Sequence, residues 1–514
     1  MILVVVLVII GALVVLAVVD VVQTKHPVRR NYPLIGRLRY MLEEIGPELR
    51  QYIVTGNDEE RPFSRDQRRW VYASSNNENQ YFGFGTDSKM DEPQYLIIRH
   101  AAFPFSPPSD ANSPAVGDEN YLPCAKILGE FRGRRKAFRP QSVVNISAMS
   151  FGALSGVAVE ALNRGARLAG CLHNTGEGGV SRHHQHGGDL IFQLGTGYFG
   201  ARNPDGTFCL DKAAALVAST PAVKAIEIKL SQGAKPGLGG RLPSAKVTEE
   251  IAEARGVPVG VTVVSPPSHT AFNSVTTMID FVEDLAVVTG LPVGIKSAVG
   301  DRHFWHELAH EMASTGRGPD FITIDGGEGG TGAAPLAFTD HVSLPYRMGM
   351  SEVFSTFARH GIHDRVVWIG AGRLGFPAES LLAMALGADM IYVAREAMMA
   401  VGCIQAQKCH TGRCPTGVTT HSKWLTRGLD PTDKAVRAGN YIMSLRHEML
   451  MLSHACGKPH PTLVGGEAID LLLEGETSVS LWDHFRYDKA WWEPTNRRAE
   501  SLIDTMYQPG TPSA

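Results

Sequence analysis

The pattern of apolar and polar positions sets residues 1–22 apart from the rest of the 514-residue chain. This run, MILVVVLVIIGALVVLAVVDVV, is apolar except for Asp20, and as a helix rising 1.5 Å per residue it spans about 30 Å. It predicts a transmembrane anchor. A cleaved signal peptide is the alternative, but no basic residue precedes the run and no A-x-A site follows it.

Basic residues dominate the chain directly after this run. Before the next acid, Glu43, come Lys25, Arg29, Arg30, Arg37 and Arg39. By the positive-inside rule, this asymmetry places the C-terminal bulk in the cytoplasm. We therefore expect a single-pass protein of the cell inner membrane. Residues 31–53, NYPLIGRLRYMLEEIGPELRQYI, predict an amphipathic helix beside the membrane.

A different sequence pattern starts near residue 143, where short β-branched runs alternate with predicted helices. Most of these runs are followed by glycine-rich or polar turns. The predicted strands are 143–147, 171–174, 225–230, 260–264, 292–296, 320–325, 366–370 and 390–394. Eight such units over roughly 250 residues predict an α/β fold, the (β/α)8 TIM barrel, with a doubly wound parallel sheet as the alternative.

These patterns also divide the chain into regions. We expect an anchor (1–22), a juxtamembrane and N-terminal extension (23–140), the barrel (141–400), a cysteine-bearing loop (401–420) and a helical extension (421–514) with a helix over 431–456. A net charge of −3 gives no indication of nucleic-acid binding. Seven cysteines without regular pairing indicate a reducing compartment rather than a disulfide framework.

Chemistry in such a barrel sits where the strands end. Lys229, Gln232 and Lys235 follow one strand together and suit an anionic ligand, with solvated rim lysines as the alternative. Lys296 ends an apolar run, so it must reach the barrel mouth or pair with an acid. Glycine-rich turns after the last strands are typical phosphate sites, and the residues leave a flavin and a phosphorylated substrate equally open.

Three cysteines follow the last predicted strand, in CIQAQKCHTGRCP: Cys403, Cys409 and Cys414. Thiolates select zinc or iron–sulfur clusters. Zinc needs a fourth ligand, for which His410 is nearest, and ordinary four-iron clusters use four cysteines. An iron–sulfur cluster with three irons instead of four needs only three cysteine ligands. The triplet therefore favours such a cluster, with zinc or unliganded cysteines as alternatives.

The motifs of this region form an ordered series. SAMSFGALS, NTGEGG, EIKLSQGAKPG, GGTGAAP and C-x5-C-H-x3-CP occur in that order between residues 143 and 420. Together they resemble the synthase domain of the glutamate synthase large subunit, and the layout is similar to membrane-anchored, single-chain FMN-binding glutamate synthase family proteins. The resemblance implies an FMN-dependent barrel and a [3Fe-4S] cluster held by the three cysteines. It also implies that 2-oxoglutarate and ammonia form 2-iminoglutarate, which hydride from FMN converts to L-glutamate.

The resemblance further assigns roles to individual residues. It implies catalytic roles for Lys235, Gln232 and Glu177, and substrate binding by Lys229 and Arg255. Arg241, which lies beside these positions, is a further substrate-binding candidate. It implies FMN contacts at Ser147, Met149, Ser150, Lys296, Gly327, Gly329, Gly330, Thr331, Gly370 and Gly372. Arg373 and Arg395, which follow the last two strands, are expected to bind the phosphate with these turns. A dicarboxylate substrate needs cations at both ends, and Arg255 suits one carboxylate because a guanidinium donates two parallel hydrogen bonds.

Some positions depart from the family pattern. Arg241 stands where the family has glutamine, Leu238 replaces an acid, and GGEGGTGA replaces GHDGGTGA, so the exact keto or amino acid stays open. No stretch resembles the family's glutamine amidotransferase domain, and no dinucleotide-binding G-x-G-x-x-G follows a strand. We therefore expect an external electron carrier, ferredoxin-like or a reductase subunit, and ammonia that is free or supplied by a partner.

Two other functions remain open. An FMN-dependent dehydrogenase of a related amino, N-alkylamino or 2-hydroxy acid would pass electrons to a membrane acceptor, and the anchor favours this. A non-catalytic membrane electron-transfer subunit would keep the cofactors without turnover. The intact Lys229, Lys235 and Arg255 argue against it.

Overall fold

The computed structural model contains a closed barrel of eight parallel strands. Each barrel strand pairs with the next barrel strand along the chain. The strands are β1 (Leu96–Ile98), β2 (Val144–Ile146), β3 (His173–Asn174), β4 (Leu190–Leu194), β5 (Val223–Lys229), β6 (Arg241–Leu242), β7 (Val263–Val264), β8 (Val293–Ser297), β9 (Phe321–Asp325), β10 (Val367–Ala371), β11 (Met390–Val393), β12 (Ile469–Leu472) and β13 (Ser478–Ser480). The barrel order is β2-β3-β4-β5-β8-β9-β10-β11, and β11 pairs back to β2. The predicted (β/α)8 barrel is confirmed.

The structure describes residues 1–506 apart from 24, 57–58, 79–80, 82, 87, 108–120, 245–246, 475–476, 499–500, 503 and 505, and only the backbone at 47, 52 and 241. The helices are α1 (Ile2–Val22), α2 (Pro27–Asn31), α3 (Ile35–Leu49), α4 (Arg65–Asn76), α5 (Gly156–Ala169), α6 (Leu210–Ser219), α7 (Glu249–Arg255), α8 (Val275–Thr289), α9 (Arg302–Thr315), α10 (Leu336–His341), α11 (Tyr346–Arg359), α12 (Pro377–Ala385), α13 (Arg395–Ala400), α14 (Lys423–Thr426), α15 (Pro431–Ala455), α16 (Leu481–Phe485) and α17 (Glu493–Arg497). The chain divides into two units, Met1–Arg69 and Trp70–Ala514.

One predicted barrel strand is wrong. The run 260–264 contributes only β7, which pairs antiparallel with β6 outside the barrel. The missing barrel strand is β4, whose residues are all buried, whereas Val261 and Val264 are exposed. A β-branched run can serve a short exposed hairpin, so its composition does not reveal whether both faces are covered.

The interior of the barrel changes from apolar to charged along its axis. Because a strand repeats every two residues, Ala225, Glu227 and Lys229 of β5 share one face. Ala225 belongs to a buried apolar cluster with Ile191 of β4 and Phe321 of β9. Glu227 lies in the next layer of inward-facing side chains, closer to the C-terminal ends of the strands. Lys229 ends β5 at this C-terminal end, which is the mouth of the barrel.

A buried ion network braces the opposite end of the barrel, where β8 and β9 start. Arg134 donates two hydrogen bonds to Glu283, at 2.6 and 2.9 Å, and its Nε lies 2.9 Å from Asp320 Oδ2. The same carboxylate oxygen accepts a 2.9 Å hydrogen bond from Val293 N, the first residue of β8. These contacts fix the N-terminal face and leave the mouth free for chemistry.

Helix ends follow the sequence signals. Ser155 caps α5 by accepting from Ala158 N, and Gly170 ends it in the left-handed conformation at φ 61°. Asp430 caps α15, with Pro431 at its first position. The helix predicted over 431–456 is therefore confirmed.

The N-terminal unit begins with the predicted apolar helix. Over its best window α1 has a mean hydropathy of 3.6, and among the described residues it is the one helix long and apolar enough to cross a membrane. Its side chains are exposed apart from the partly buried Ala17 and the buried Asp20, which accepts a 2.8 Å hydrogen bond from Arg37 Nε.

Candidate active site

Three predicted residues meet where β3 and β5 end. Glu177 lies in the turn after β3, and Gln232 follows Lys229 by three residues. Lys229 Nζ lies 2.8 Å from Glu177 Oε1 and donates a 2.6 Å hydrogen bond to Gln232 Oε1. The arrangement holds the ammonium, the carboxylate and the amide in one place at the barrel mouth.

The end of β5 is fixed by a histidine that the sequence analysis missed. His269 Nε2 lies 2.9 Å from the Lys229 carbonyl, and its Nδ1 lies 3.1 Å from Tyr198 Oη. A carbonyl only accepts, so the Nε2 atom carries the proton and, in the neutral ring, Nδ1 accepts from the tyrosine. Burial lowers the pKa of His269, which favours this neutral form.

The charges at the mouth influence one another strongly. Burial alone would raise the pKa of Glu177, but Lys229, Lys235 and Arg255 outweigh it and lower that pKa. Burial and the neighbouring Lys229 lower the pKa of Lys235, although Glu177 opposes them. Lys235 is 7% exposed, and its Nζ donates a 3.4 Å hydrogen bond to the Gly239 carbonyl. The site thus combines a firmly ionised acid with a lysine that releases its proton more readily than usual.

Arg255 ends α7 and turns into the same region. It is 7% exposed, its Nη2 donates a 3.3 Å hydrogen bond to the Phe151 carbonyl, and its guanidinium lies 5.0 Å from the centre of the Phe199 ring. Its buried Nε has no hydrogen-bond partner among the described residues. Burial lowers the pKa of Arg255, opposed by Glu177. A buried guanidinium with spare donors suits a carboxylate ligand.

Lys296 sits in a second ion pair at the end of β8. Its Nζ lies 3.2 Å from Asp325 Oδ2 at the end of β9. Burial would lower the pKa of Lys296, but Asp325 and then Glu227 outweigh it and raise that pKa. Of the two predicted alternatives for Lys296, the structure shows the pairing with an acid, and Lys296 is a fixed cation.

Glu227, below Lys296, was also missed by the sequence analysis. It is fully buried and accepts hydrogen bonds from Asn174 at 2.8 Å, Gln193 at 2.6 Å and Thr323 at 2.7 Å. The signal was present in the two-residue alternation of β5, which places Glu227 on the same face as Lys229. Its partners come from three other strands, and only the barrel register brings them together.

Two glycines at the end of β10 mark a close approach of backbone and side chain. A Cβ on Gly370 would lie 2.5 Å from Tyr346 Oη, a buried hydroxyl without a hydrogen-bond partner among the described residues. Gly372 and Arg373 both have positive φ, 126° and 60°. A left-handed arginine is uncommon, and such backbone clusters at functional sites.

The glycine-rich turn after β9 packs under Arg395. Arg395 donates a hydrogen bond to the Glu328 carbonyl, and a Cβ on Gly330 would lie 2.7 Å from Arg395 Cδ. The N–H groups of Gly327 and Gly329 donate to the Leu344 and Gly326 carbonyls. These two glycines therefore shape the turn, while Thr331 is exposed at its far end.

The turn after β2 carries the remaining predicted cofactor residues. Ser147 N donates a 2.9 Å hydrogen bond to the Val393 carbonyl of β11, and both Ser147 and Met149 are buried. A Cβ on Gly176 would lie 2.5 Å from Ser150 N, so the turns after β2 and β3 pack directly on each other. The side chain of Arg241 lies outside the described parts of the structure, and its predicted role stays a prediction.

The three predicted cysteines lie on the loop between α13 and α14. Burial would raise the pKa of the Cys414 thiol, but hydrogen bonding, above all with Thr416 Oγ1 at 3.5 Å, outweighs burial and lowers that pKa, which favours a thiolate. A Cβ on Gly332 would lie 3.1 Å from Cys409 Cβ, so the loop packs on the turn after β9. In the part of the chain that the structure describes, no group of three or more His, Cys, Asp or Glu side chains is placed to hold a metal ion. The structure does not assemble a cluster site.

Comparison with known families gives one match over most of this region. The family model for a conserved region in glutamate synthase matches residues 127–459. The glutamate synthase large subunit-like protein YerD of Bacillus subtilis is 38% identical over 471 residues, which cover 86% of this chain and 89% of that protein. The archaeal-type NADPH glutamate synthase of Thermotoga maritima is 37% identical over 310 residues, 60% of this chain and 57% of that protein. The chain thus spans little more than half the length of that relative.

Solved structures give weaker likenesses. A flavocytochrome b2 variant with sulfite bound superposes with a TM-score of 0.42 at 14% identity, covering 86% of this chain and 87% of that one. A mandelate oxidase variant gives a TM-score of 0.36 at 15% identity, covering 68% and 86%. Likenesses of this size say nothing about the chemistry of this chain.

Proposed function

The chain belongs to the glutamate synthase family, and we propose that it is a flavin-dependent oxidoreductase that forms L-glutamate from 2-oxoglutarate and ammonia. Homologues of this kind indicate an oxidoreductase of glutamate synthase type. The observation that carries the proposal is the mouth of the barrel, where Lys229, Lys235 and Arg255 surround one carboxylate, Glu177. Three buried cations around one carboxylate give the site an excess of positive charge, which favours a dianionic substrate.

The substrate would span the site between these cations. One carboxylate would accept two parallel hydrogen bonds from Arg255, whose Nε has none within the described structure. The opposite end of the substrate would lie toward Lys229 and Lys235. Gln232 and Glu177 hold the Lys229 ammonium in place, so the reacting carbon is oriented before the reaction begins.

Lys235 is the residue placed to move a proton. Condensation of 2-oxoglutarate with ammonia forms 2-iminoglutarate and water, and reduction adds a hydride to carbon and a proton to nitrogen. The ammonium Nζ of Lys235 would hold the proton that nitrogen receives, because burial has lowered the pKa of that lysine. Glu177 stays ionised and compensates the positive charge while the proton is away.

The residues at the other side of the mouth fit FMN. The buried Tyr346 hydroxyl has no hydrogen-bond partner among the described residues and lies against Gly370, where a Cβ would meet it at 2.5 Å, so it suits a bound polar group. We infer that Ser147, Met149, Ser150 and Lys296 hold the ring, and that Gly327, Gly329, Gly330, Thr331, Gly370, Gly372, Arg373 and Arg395 form the phosphate end. FMN, when bound, supplies the hydride. Lys296 keeps a fixed positive charge beside Asp325, which favours an anionic ring.

A [3Fe-4S] cluster on Cys403, Cys409 and Cys414 is proposed from the cysteine spacing, with support from the Thr416 hydroxyl, which lies 3.5 Å from Cys414 Sγ. Within the described residues the three thiols are not grouped as ligands of one metal site. Cys409→Ser is expected to remove the spin resonance signal of the cluster and leave the zinc content unchanged. Loss of bound zinc instead would show that the triplet is a zinc site.

The surroundings of the enzyme follow from the N-terminal helix. We propose that α1 anchors the chain in the cell inner membrane with the barrel in the cytoplasm, since α1 is long and apolar enough and basic residues follow it. A ferredoxin-like carrier or a reductase subunit would deliver electrons, and ammonia would be free or come from a partner.

Anaerobic reduction of the purified protein tests the function. Protein with chemically reduced flavin is mixed with 2-oxoglutarate and ammonium, and the flavin absorbance is followed while glutamate is assayed. Reoxidation with one glutamate per flavin is expected, and omission of ammonium is the control. A flavin that stays reduced and yields no glutamate would refute the synthase reaction.

A second candidate is a dehydrogenase of a related amino, N-alkylamino or 2-hydroxy acid that passes electrons to a membrane acceptor. The apolar α1 favours it, because a membrane acceptor needs an enzyme at the bilayer. Bleaching of the oxidised flavin by one such acid and not by glutamate would decide for this candidate.

A further inference from the structure

The N-terminal unit exposes an apolar stripe along one face of α3. The stripe consists of Ile35, Leu38, Met41, Leu42, Ile45 and Leu49, each between 41% and 77% exposed. Five of the six follow the spacing of three and four residues that lines one side of a helix. A contiguous stripe of this kind in water is costly unless something covers it.

The opposite face of α3 is already occupied by its own chain. Tyr40 lies 4.7 Å from the His26 ring and 4.9 Å from the Arg29 guanidinium, measured between centres. A Cβ on Gly36 would lie 2.7 Å from the Val28 carbonyl oxygen, so α3 packs closely on α2. The side of α3 that carries Gly36 and Tyr40 is therefore covered by α2, while Glu43 and Glu44 are exposed beyond it and the apolar stripe has no cover within the described part of the unit.

A specific turn joins α3 to the apolar α1. Arg37 Nε of α3 lies 2.8 Å from Asp20 Oδ2 near the end of α1, and Leu34 N donates a 3.1 Å hydrogen bond to the same oxygen. Leu34 has a left-handed φ of 66°, which the turn requires. Asp20 is 1% exposed. These contacts fix α3 close to one end of α1 and exclude a loose linker.

Around the stripe, five basic residues outnumber the three acids of α3, Glu43, Glu44 and Glu48. Lys25, Arg29, Arg30, Arg37 and Arg39 lie between Asp20 and the next acid, Glu43. We propose that α3 is an interfacial helix, which lies on the anionic surface of the membrane that α1 crosses and inserts its apolar stripe at the boundary of headgroups and acyl chains. This inference rests on the anchoring proposed above. Continuity with the anchor and the basic residues favour the bilayer over a protein partner.

Tryptophan quenching in a reconstituted membrane tests the inference. The full chain is placed in vesicles of phosphatidylcholine and phosphatidylglycerol, with and without brominated phosphatidylcholine, and acrylamide is the aqueous quencher. L42W reports the stripe, E44W the far side of the same helix, and V14W the middle of α1. Because the parent has seven tryptophans, each variant is judged by the emission it adds to the parent.

The brominated lipid is expected to quench L42W, and acrylamide is expected to reach L42W about threefold less than E44W. If V14W is quenched by the lipid while L42W behaves like E44W, the anchor stands and the interfacial helix is refuted. If L42W is shielded from both quenchers, a second copy or another protein covers the stripe and the inference is also wrong. A V14W variant that the lipid does not quench would refute the anchoring instead.

Discussion

Replacement of Arg255 by lysine separates the charge of this residue from its geometry. In the structure the guanidinium is buried, donates once to the Phe151 carbonyl at 3.3 Å and leaves Nε without a described partner. A lysine at this position keeps the positive charge but offers no planar fork. The substrate carboxylate would therefore keep one charge-assisted hydrogen bond and lose the other.

The size of the effect follows from that loss. One hydrogen bond to a charged group contributes about 1.5–3 kcal/mol, which corresponds to about 10- to 100-fold weaker binding of 2-oxoglutarate. Stacking on Phe199 changes as well, since Arg255 lies 5.0 Å from the centre of that ring. A control must therefore disturb the same ring without touching the substrate.

Arg202 provides that control. It lies 5.4 Å from the centre of the same Phe199 ring and donates to the Gly197 carbonyl at 3.4 Å. Calorimetric titration of 2-oxoglutarate into the parent, R255K and R202K proteins is expected to show weak binding in R255K alone, with similar thermal midpoints for both variants. Equal affinity in R255K and the parent would refute carboxylate binding by Arg255. Equal losses in both variants would assign the effect to the ring.

Three further outcomes are expected. G195A places a Cβ 2.6 Å from Glu177 Oε2, so turnover should fall at least about tenfold with a stability loss of about 1–3 kcal/mol, while G300A, where a Cβ meets nothing within 4 Å, should change neither turnover nor chemical unfolding. Burial lowers the pKa of Lys235 from 10.5, so kcat should fall as the pH rises, at a pH below the pKa of an ordinary lysine. K235R should move this fall in kcat to higher pH. An unchanged pH profile in K235R would contradict the proton role of Lys235. Burial lowers the pKa of His173 from 6.5 to about 3, so below pH 6.5 the unfolded chain binds a proton that the folded chain does not bind. About 3 kcal/mol of the unfolding free energy should therefore be lost by about pH 4.5. In urea unfolding, H173N should reduce this dependence of stability on pH, and an unchanged dependence would exclude His173 as its source.

Most of the barrel could be predicted because its strands carry their own signals. The runs that became β8, β9, β10 and β11 are short, apolar and followed by polar or glycine-rich turns. β4 was missed because Gln193 interrupts its apolar pattern and its sequence is hardly β-branched. That glutamine is buried only because Glu227 accepts its hydrogen bond at 2.6 Å, a contact between strands that no local pattern contains.

The contacts of the candidate site likewise fall into those that the sequence predicts and those that it does not. Lys229 and Gln232 are three residues apart, so the sequence alone places them at one strand end. The hydrogen bond from His269 to the Lys229 carbonyl joins residues 40 positions apart. The position of the Tyr346 hydroxyl beside Gly370 depends on how α11 packs on β10. Such partners are set by tertiary packing, which a single sequence does not reveal.

The two ends of the barrel show why stability and chemistry are separable here. At the N-terminal face the buried Asp320 carboxylate is satisfied by Arg134 and by Val293 N, so its burial is compensated inside the protein. At the mouth, Arg255 and Tyr346 each bury a polar atom without a described partner. An incomplete group of that kind costs about 1–3 kcal/mol, and a bound ligand that completes it recovers the cost as affinity. We therefore expect the occupants of the mouth to bring a carboxylate to Arg255 and a polar group to Tyr346, as the proposed synthesis of glutamate on a flavin would require.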